Sequence, residues 1–167
     1  SGTTIANAAK TLGYYSAGDG GGNSFYWDST STATDNAGTV IKPTAVSGAG
    51  RWLAVDTSYI NVKQFGAVGD GIHDDTTAIS SAIDEANTNG SPVLLESGNT
   101  YLCGALSKSR VHLVCLGSAT IKAASGIAAG TSVITSADIL LDGVSVDGDN
   151  IVTRAVTATG KYRQRRS

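Results

Sequence analysis

Three aspartates near the end of the chain, Asp142, Asp147 and Asp149, lie at adjacent strand and turn positions. Hydrolysis of a glycosidic bond uses two carboxyl groups placed on either side of that bond, and two of these aspartates can form such a pair. Aspartate is also common in turns, where its carboxylate accepts hydrogen bonds from backbone N–H groups. The turn role is the commoner one, so we predict no catalytic residue in this chain.

A second acidic cluster consists of Asp70, Asp74 and Asp75. Carboxylate oxygens are ligands for Ca²⁺, but the spacing departs from that of an EF-hand loop. Asp74 or Asp75 can instead accept hydrogen bonds from the first N–H groups of a following helix, and their charge suits the helix dipole. We therefore predict turn and helix-cap roles, with no metal site and no cofactor site.

The histidines and cysteines do not form a recognisable reactive set. His73 precedes the predicted helix cap and His112 begins a strand-like run, and neither has the partners of a nucleophilic triad. Cys103 and Cys115 lie in apolar runs without a C-x-x-C motif. This pattern favours buried free thiols over a disulfide.

The composition excludes several classes of protein. The 167 residues fit one ordinary domain or two small ones, and 41% hydrophobic against 16% charged residues is too apolar for disorder. The net charge of -2 does not indicate a basic surface for nucleic acid or anionic membrane. The apolar runs are too short to span a membrane, and we expect no secretory signal.

The first third of the chain predicts a short helix followed by a β-rich unit. Residues 4–12 carry apolar residues at helical spacing, and Gly13 ends the pattern. Residues 13–56 then contain strand-like runs at 14–15, 25–27, 39–41 and 51–55, separated by turn-rich segments typical of antiparallel hairpins. Most aromatic residues lie here, which favours a small aromatic core over a surface for stacking sugars.

A strong helix signal follows the turn-rich residues 66–75. We predict a helix from about Thr76 to Asn87, with an end signal at Asn89 and Gly90 and with Pro92 preventing continuation. Its narrow apolar face consists of Ile79, Ala82, Ile83 and Ala86.

From residue 93 onward, short strand-like runs alternate with turn residues. Residues 112–117 can be laid over residues 138–143, with starting positions 26 residues apart. A strand-only repeat of this length is typical of a parallel β-solenoid. An antiparallel sandwich has similar strand counts, so the periodicity alone leaves both open.

Residues 161–167 differ from the rest because four of the seven are basic. A nucleic-acid-binding tail is one interpretation. We favour a frayed or non-native terminus, because no strand period continues into this segment.

Residues 62–79 resemble the opening motif of the pectate-lyase-like β-helix superfamily, which includes many phage tailspikes. The motif joins a strand, a Gly-Asp-Gly turn at 69–71, an Asp-Asp-Thr helix start at 74–76 and a helix. Upstream, Tyr14-Tyr15, Gly18 to Gly22, Phe25 to Asp28, Asp35 to Ile41 and Gly50 to Leu53 resemble the small module that precedes the β-helix in phage tailspikes and capsule depolymerases. Together the similarity covers about residues 13–150.

This resemblance implies a homotrimer on a virion tail that recognises or cleaves a bacterial surface polysaccharide. It also implies a right-handed β-helix whose first rung is covered by the 76–87 helix, since an open solenoid end requires a cap. In this chain the pattern fades near residue 150, whereas family β-helices continue for many more coils. The catalytic carboxylates of glycan-cleaving members lie in later coils or between subunits, so none is transferred here.

We therefore predict a mainly β fold in four parts. Residues 1–57 form a small β-rich tailspike module with a short leading helix, and residues 58–92 a connector strand, turn motif and capping helix. Residues 93–160 form the first coils of a right-handed parallel β-helix, and residues 161–167 a basic terminal tail.

The predicted function is an N-terminal attachment, capping and trimerisation module of a phage tailspike on the virion tail. Its expected partners are an upstream tail or baseplate protein and, through the parent protein, capsule or O-antigen polysaccharide; no nucleic acid or membrane is expected. One alternative is a polysaccharide lyase or glycoside hydrolase that uses Asp142, Asp147 or Asp149. The other is a non-catalytic carbohydrate-binding module that uses Tyr14, Tyr15, Tyr26 or Trp27.

Overall fold

The computed structural model describes residues 7–128, 130–149 and 155–165. Its first part is a four-stranded antiparallel sheet, in the order β1-β2-β4-β3, as the hairpin pattern predicts. The strands are β1 (Ala8–Lys10), β2 (Ser24–Asp28), β3 (Val40–Ile41) and β4 (Arg51–Ala54).

The prediction of a leading helix over residues 4–12 is wrong for its described part, from residue 7 onward. Ala8, Ala9 and Lys10 form the edge strand β1, and Ala9 pairs with Phe25. A helix of this length is marginal in water, so the hydrogen bonds offered by β2 override the helical spacing. The predicted strand at 14–15 is also wrong, because those residues lie in a bend.

The aromatic core of the small sheet is smaller than predicted. Phe25 is buried, and the rings of Trp27 and Trp52 meet edge to face with centroids 5.3 Å apart. Tyr15 and Tyr26, by contrast, are 71% and 46% exposed. Alternation along β2 explains part of this result, since Tyr26 points away from the face that carries Phe25 and Trp27.

The rest of the chain is a coil of parallel strands. Its elements are β5 (Ile60–Asn61), a 3₁₀ helix (Val62–Phe65), β6 (Asp70–Asp74), α1 (Thr76–Asn89), β7 (Val93–Leu94), β8 (Thr100–Cys103), β9 (Leu106–Ala123), β10 (Ile134–Asp147) and β11 (Val156–Arg165). The main path runs β11-β10-β9-β7-β5, with β6 and β8 alongside, and every strand pair is parallel. The start of a parallel β-helix is therefore confirmed, and the antiparallel sandwich is excluded.

Backbone pairing corrects the repeat inferred from the sequence. Ile139 lies opposite Val111, an offset of 28 residues, whereas Val144 lies opposite Ala119, an offset of 25. Residues 115–118 of β9 therefore face the single residue Gly143. The 26-residue superposition missed this register because a shift of two residues leaves the inward and outward faces unchanged.

The interior of the coil consists of the inward-facing residues of successive rungs. Val111, Leu113, Ile139 and Leu141 are completely buried. Cys103 and Cys115 are buried free thiols, as predicted. Desolvation by burial raises the pKa of Cys103 to about 12, so this thiol stays protonated and unreactive at neutral pH.

The prediction of a basic tail over residues 161–167 is wrong for residues 161–165, and residues 166 and 167 lie outside the described part. Residues 161–165 belong to β11, which pairs with β10 from Ile134 opposite Val156 to Asp142 opposite Arg165. The coil thus continues past residue 150. The basic residues alternate with Tyr162 and Gln164, so they occupy one side of a strand whose backbone bonds to β10.

Helix α1 begins at Thr76 as predicted and ends at Asn89, two residues later than expected. Gly90 takes a left-handed conformation, with φ 75°, and its N–H donates to Ala86 O. The apolar face buries Ile79, Ala82, Ile83 and Ala86 against the 3₁₀ helix, β5, β7, β8 and β9. Within the described residues, no helix is long and apolar enough to cross a membrane.

Candidate functional site

The small sheet packs directly on α1 and on the 3₁₀ helix, and we call this contact the cap seam (Tyr15, Asn36, Gly38 and Thr39 against Phe65, Gly66 and Glu85). The two oxygens of Glu85 accept hydrogen bonds from different residues of the sheet. Asn36 Nδ2 donates to Oε2 at 2.8 Å, and Thr39 Oγ1 donates to Oε1 at 2.8 Å. Thr39 is buried, so its O–H group depends on Glu85 as acceptor, while its oxygen also accepts from Asn36 Nδ2 at 2.9 Å.

Local turn chemistry places Asn36 for this contact. Its Oδ1 accepts the backbone N–H groups of Gly38, Thr39 and Val40, at 3.1, 2.9 and 2.9 Å. This fixes the side chain so that its amide nitrogen is free to donate to Glu85. An asparagine that organises its own turn is a common device in loops.

The apolar centre of the cap seam is the ring of Phe65, which is 7% exposed. Gly38 lies so close to this ring that a Cβ at position 38 would be 2.6 Å from ring carbon Cε1. The sheet can approach the 3₁₀ helix only because this residue has no side chain.

A loop built around Asp19 makes the second contact with the coil. Its carboxylate accepts the N–H groups of Tyr14, Tyr15, Ser16 and Gly21. These backbone hydrogen bonds, with that of Ser16 foremost, hold the pKa of Asp19 well below its ordinary value. The loop presents Tyr15 OH, which donates to Gly66 O at 3.1 Å.

The predicted acidic cluster divides into three separate roles. Asp74 Oδ1 accepts from Thr76 N at 2.9 Å, which confirms one aspartate at the helix start. Asp75 turns back instead, and accepts from Val68 N at 2.6 Å and from Gly69 N at 3.1 Å. Burial raises the pKa of Asp75.

Asp70 forms a local turn with His73. Its Oδ1 accepts His73 N at 2.9 Å, and its Oδ2 lies 2.6 Å from His73 Nδ1. These hydrogen bonds lower the pKa of Asp70 to about 2. Across the described residues, no three His, Cys, Asp or Glu side chains are grouped so that they could hold a metal ion.

The three aspartates near the end of the chain do not face one another across a cleft. Asp147 Oδ1 accepts Asp149 N at 2.9 Å, and Asp149 Oδ2 pairs with Lys122 Nζ at 3.3 Å. Asp142 lies on the β10 strand between Val114 and Arg165. Asp147 and Asp149 therefore have turn and ion-pair roles.

The sequence did not reveal the residues of the cap seam that matter most. Glu85 is one of several polar residues on the outer side of α1, and its partners lie 46 and 49 positions earlier. Only a turn-rich segment between the strand-like runs 25–27 and 39–41 was visible, and such a segment does not say what it contacts.

Two family models match the chain in succession. The phage tail protein small four-stranded beta-sheet domain matches residues 2–57. The rhamnogalacturonase A/epimerase, pectate lyase-like model matches residues 59–161.

Solved structures show the same fold. The enzymatically active domain of tailspike protein 2 of bacteriophage CBA120 superposes with a TM-score of 0.66 and 25% identity, covering 85% of this chain and 21% of that one. WceF of Pantoea stewartii, described as a glycan biofilm modifying enzyme with a tailspike-like parallel β-helix, gives a TM-score of 0.69 at 17% identity. That match covers 94% of this chain and 25% of WceF, and it shows the fold alone.

Curated relatives match a shorter segment. Mannuronan C5-epimerase AlgE1 of Azotobacter vinelandii is 44% identical in a 66-residue alignment that covers 34% of this chain and 5% of that protein. Plasmin and fibronectin-binding protein A of Streptococcus pneumoniae is 47% identical in a 66-residue alignment that covers 37% of this chain and 9% of that protein. The chain thus spans less than a tenth of either relative. Since the second family model covers more than half of the chain, the protein belongs to the rhamnogalacturonase A/epimerase, pectate lyase-like family.

Proposed function

We propose that this chain is the N-terminal attachment and capping module of a phage tailspike. In this role the small sheet joins the spike to an upstream tail or baseplate protein, and the coil begins the β-helix of a homotrimer on the virion tail. The parent protein recognises capsule or O-antigen polysaccharide. The succession of a phage tail sheet domain and a pectate-lyase-like coil supports this proposal.

The observation that carries the proposal is the double hydrogen bond at Glu85. It ties Asn36 and Thr39 of the sheet to the helix that covers the coil. The hydrogen bonds of Asn36 and Thr39 to Glu85 therefore connect the sheet mechanically to the first rung of the coil. An attachment module needs such a connection, whereas a free-standing binding domain does not.

Capping is the second part of the proposed role. Strand β5 lies at the end of the main strand path, and an uncovered solenoid end exposes apolar interior and unpaired backbone groups. Ile79 and Ile83 of α1 are buried there, and each contributes about 1.5–3 kcal/mol of hydrophobic stabilisation.

Assembly can be tested with the purified chain and with a phage that carries the parent protein. We expect sedimentation to show a trimer, and we expect spike-free tails to bind the chain but not a version without the sheet. Incubation with capsule or O-antigen polysaccharide should release no reducing ends and no unsaturated product. Polysaccharide turnover, or failure to bind tails, would contradict the attachment role.

Carbohydrate binding without cleavage is a second candidate, favoured by the exposure of Tyr15 and Tyr26. Trp27 is a poorer candidate because its ring packs against Trp52. Exposed tyrosines that stack on sugars should be shielded from a soluble quencher when glycan is added. If added glycan protects the Tyr15→Ala and Tyr26→Ala variants from the quencher as much as it protects the parent chain, these tyrosines do not stack on sugar. That result would remove this candidate.

A further inference from the structure

The two edges of the small sheet differ in what their outward backbone groups contact. The order β1-β2-β4-β3 makes β1 and β3 the edge strands. In β3, Val40 lies opposite Leu53 and directs its N–H and C=O groups away from β4. Its N–H donates to Asn36 Oδ1 at 2.9 Å, and its C=O accepts from Asn36 N at 3.1 Å. The edge at β3 is therefore closed by the chain itself.

The edge at β1 is open, and we call it the open edge (Ala8–Lys10). Trp27 N donates to Asn7 O at 3.1 Å, which shows that Asn7 directs its C=O group towards β2. The bonding groups alternate along an antiparallel strand, so Ala8 and Lys10 direct their N–H and C=O groups away from β2. Among the described residues, no hydrogen bond reaches these outward groups.

Side chains beside the open edge add a cation and apolar surface. A shallow cavity of about 650 Å³ is bordered by Lys10, Leu12 and Val55, and the two apolar side chains are 68% and 65% exposed. Lys10 has no ion pair in the described part of the chain. Asp56 borders the same cavity, but its carboxylate accepts Ser58 N at 2.9 Å. Lysine on an edge strand discourages unselective pairing, so it favours an acidic partner strand.

We infer that the open edge takes an extended segment of the upstream tail protein as a fifth strand, antiparallel like every other pair of this sheet. The inference rests on the proposed attachment role and names the surface that performs it. In strand addition, main-chain hydrogen bonds give affinity and alternate side chains give specificity. Opposite charges across a strand pair stabilise it, so the segment carries an acidic residue opposite Lys10. Apolar residues two positions to either side lie opposite Ala8 and over the cavity beside Leu12.

A second copy of this chain suits the open edge less well than a tail protein does. Pairing β1 of one copy with β3 of the next would build a ring, but Asn36 already occupies the outward groups of Val40. Pairing β1 with β1 relates two copies by a two-fold axis, which closes a dimer and does not link three chains. Neither contact fits the proposed homotrimer.

Binding of the full chain to purified spike-free tails tests the inference. Ala8→Pro removes one outward N–H group and no hydrogen bond to β2, and proline is tolerated on an edge strand for that reason. We expect Ala8→Pro to bind tails about 10-fold more weakly than the parent chain. Ala8→Val keeps the N–H group and is the matched control, so it should bind as the parent chain does. Unfolding followed by tryptophan fluorescence should be the same in all three chains.

Charge reversal supplies a second variant if Ala8→Pro does not fold. Lys10→Glu should weaken tail binding by about 5-fold, because an attraction across the strand pair becomes a repulsion. Lys42→Glu makes the same change in charge next to β3 and should leave binding unchanged. In the free chain, the amide protons of Ala8 and Lys10 should exchange rapidly with solvent, and tail binding should slow their exchange.

The outcomes separate this inference from the attachment role. A parent chain that does not bind tails would contradict the attachment role itself. If the parent chain binds, and Ala8→Pro and Lys10→Glu bind as tightly, attachment uses another surface and the inference is wrong. Slow exchange of the Ala8 and Lys10 amides in the free chain would overturn it too, because the edge would already be covered. Loss of the trimer in Ala8→Pro, with tail binding unchanged, would assign the edge to a second copy instead.

Discussion

The small sheet and the coil are organised by different interactions. In the sheet module, single side chains order whole loops: Asp19 accepts four backbone N–H groups and Asn36 accepts three. In the coil, backbone pairing between rungs sets the order, and inward residues such as Val111 and Ile139 fill the interior. A single substitution can therefore release the sheet from the coil, whereas the coil distributes its stability over many rungs.

The largest expected effect is in the part of the helix that the coil buries. Ile83→Ala should lower the free energy of unfolding by about 2–5 kcal/mol, because it leaves a cavity under α1. Denaturant unfolding followed by helical circular dichroism measures this loss. Thr77→Ala, at an exposed position of the same helix, is the control and should change stability little. A loss below that of the control would mean that α1 does not stabilise the coil.

The next effect tests how closely the sheet must approach the coil. Gly38→Ala places a methyl group against the ring of Phe65 and should cost about 1–3 kcal/mol of unfolding free energy. Tryptophan fluorescence, which reports Trp27 and Trp52 in the sheet, measures it. Gly48→Ala is matched, since a Cβ there meets no atom within 4 Å. Equal stability of the two variants would show that the cap seam opens easily.

The hydrogen bonds of Glu85 decide whether sheet and coil unfold together. Glu85→Ala leaves the O–H group of the buried Thr39 without its acceptor, while Thr39 Oγ1 still accepts from Asn36 Nδ2, and the change should cost about 1–3 kcal/mol. More importantly, the fluorescence and circular dichroism transitions should coincide in the parent chain and separate in this variant. Asn89→Ala, which removes only a bond to Glu85 from within the helix, should keep them together. Coincident transitions in Glu85→Ala would contradict the proposed coupling.

The smallest effect is a difference in pH dependence between two neighbouring aspartates. The pKa of Asp75 is raised by burial above its ordinary 3.8, so near that pKa the folded state binds more protons than the unfolded state. Stability therefore falls as pH rises from 3.8 through the raised pKa. The pKa of Asp70 is lowered to about 2, so its contribution is lost as pH falls from 3.8 towards 2. Denaturation midpoints measured across pH should no longer fall with rising pH in Asp75→Asn. In Asp70→Asn they should no longer fall as the pH drops from 3.8 towards 2. Unchanged slopes would show that neither carboxylate is linked to folding.

Much of the coil could be predicted from local pattern, because its determinants are local. Helix α1 has its apolar spacing, its start at Thr76 and its stop at Gly90 within one short segment. Inward and outward alternation was equally visible, but it cannot distinguish registers that differ by two residues. The basic residues from Lys161 onward were misinterpreted for a related reason: alternation of charged and polar residues does not resemble a buried strand.

The cap seam and the side-chain rows that cross β9, β10 and β11 could not be predicted because their residues are brought together from distant parts of the chain. Asn36 and Glu85 are separated by 49 positions. Arg110 and Lys161 become neighbours of Asp138 only through the rung register. The edge strand β1 was missed because three residues of Ala and Lys carry no strand preference without a partner.

The corner at residues 115–118 has a consequence for how such a protein can diversify. At this corner β9 uses four residues, whereas β10 makes the same corner with Gly143 alone. A side chain at position 143 would collide with Cys115 O. Position 143 is thus restricted to glycine, while the longer corner carries Leu116, which is 92% exposed. Extra residues added at Leu116 would extend into solvent without altering the stacking of either strand, so this corner is a place where the coil can gain new surface.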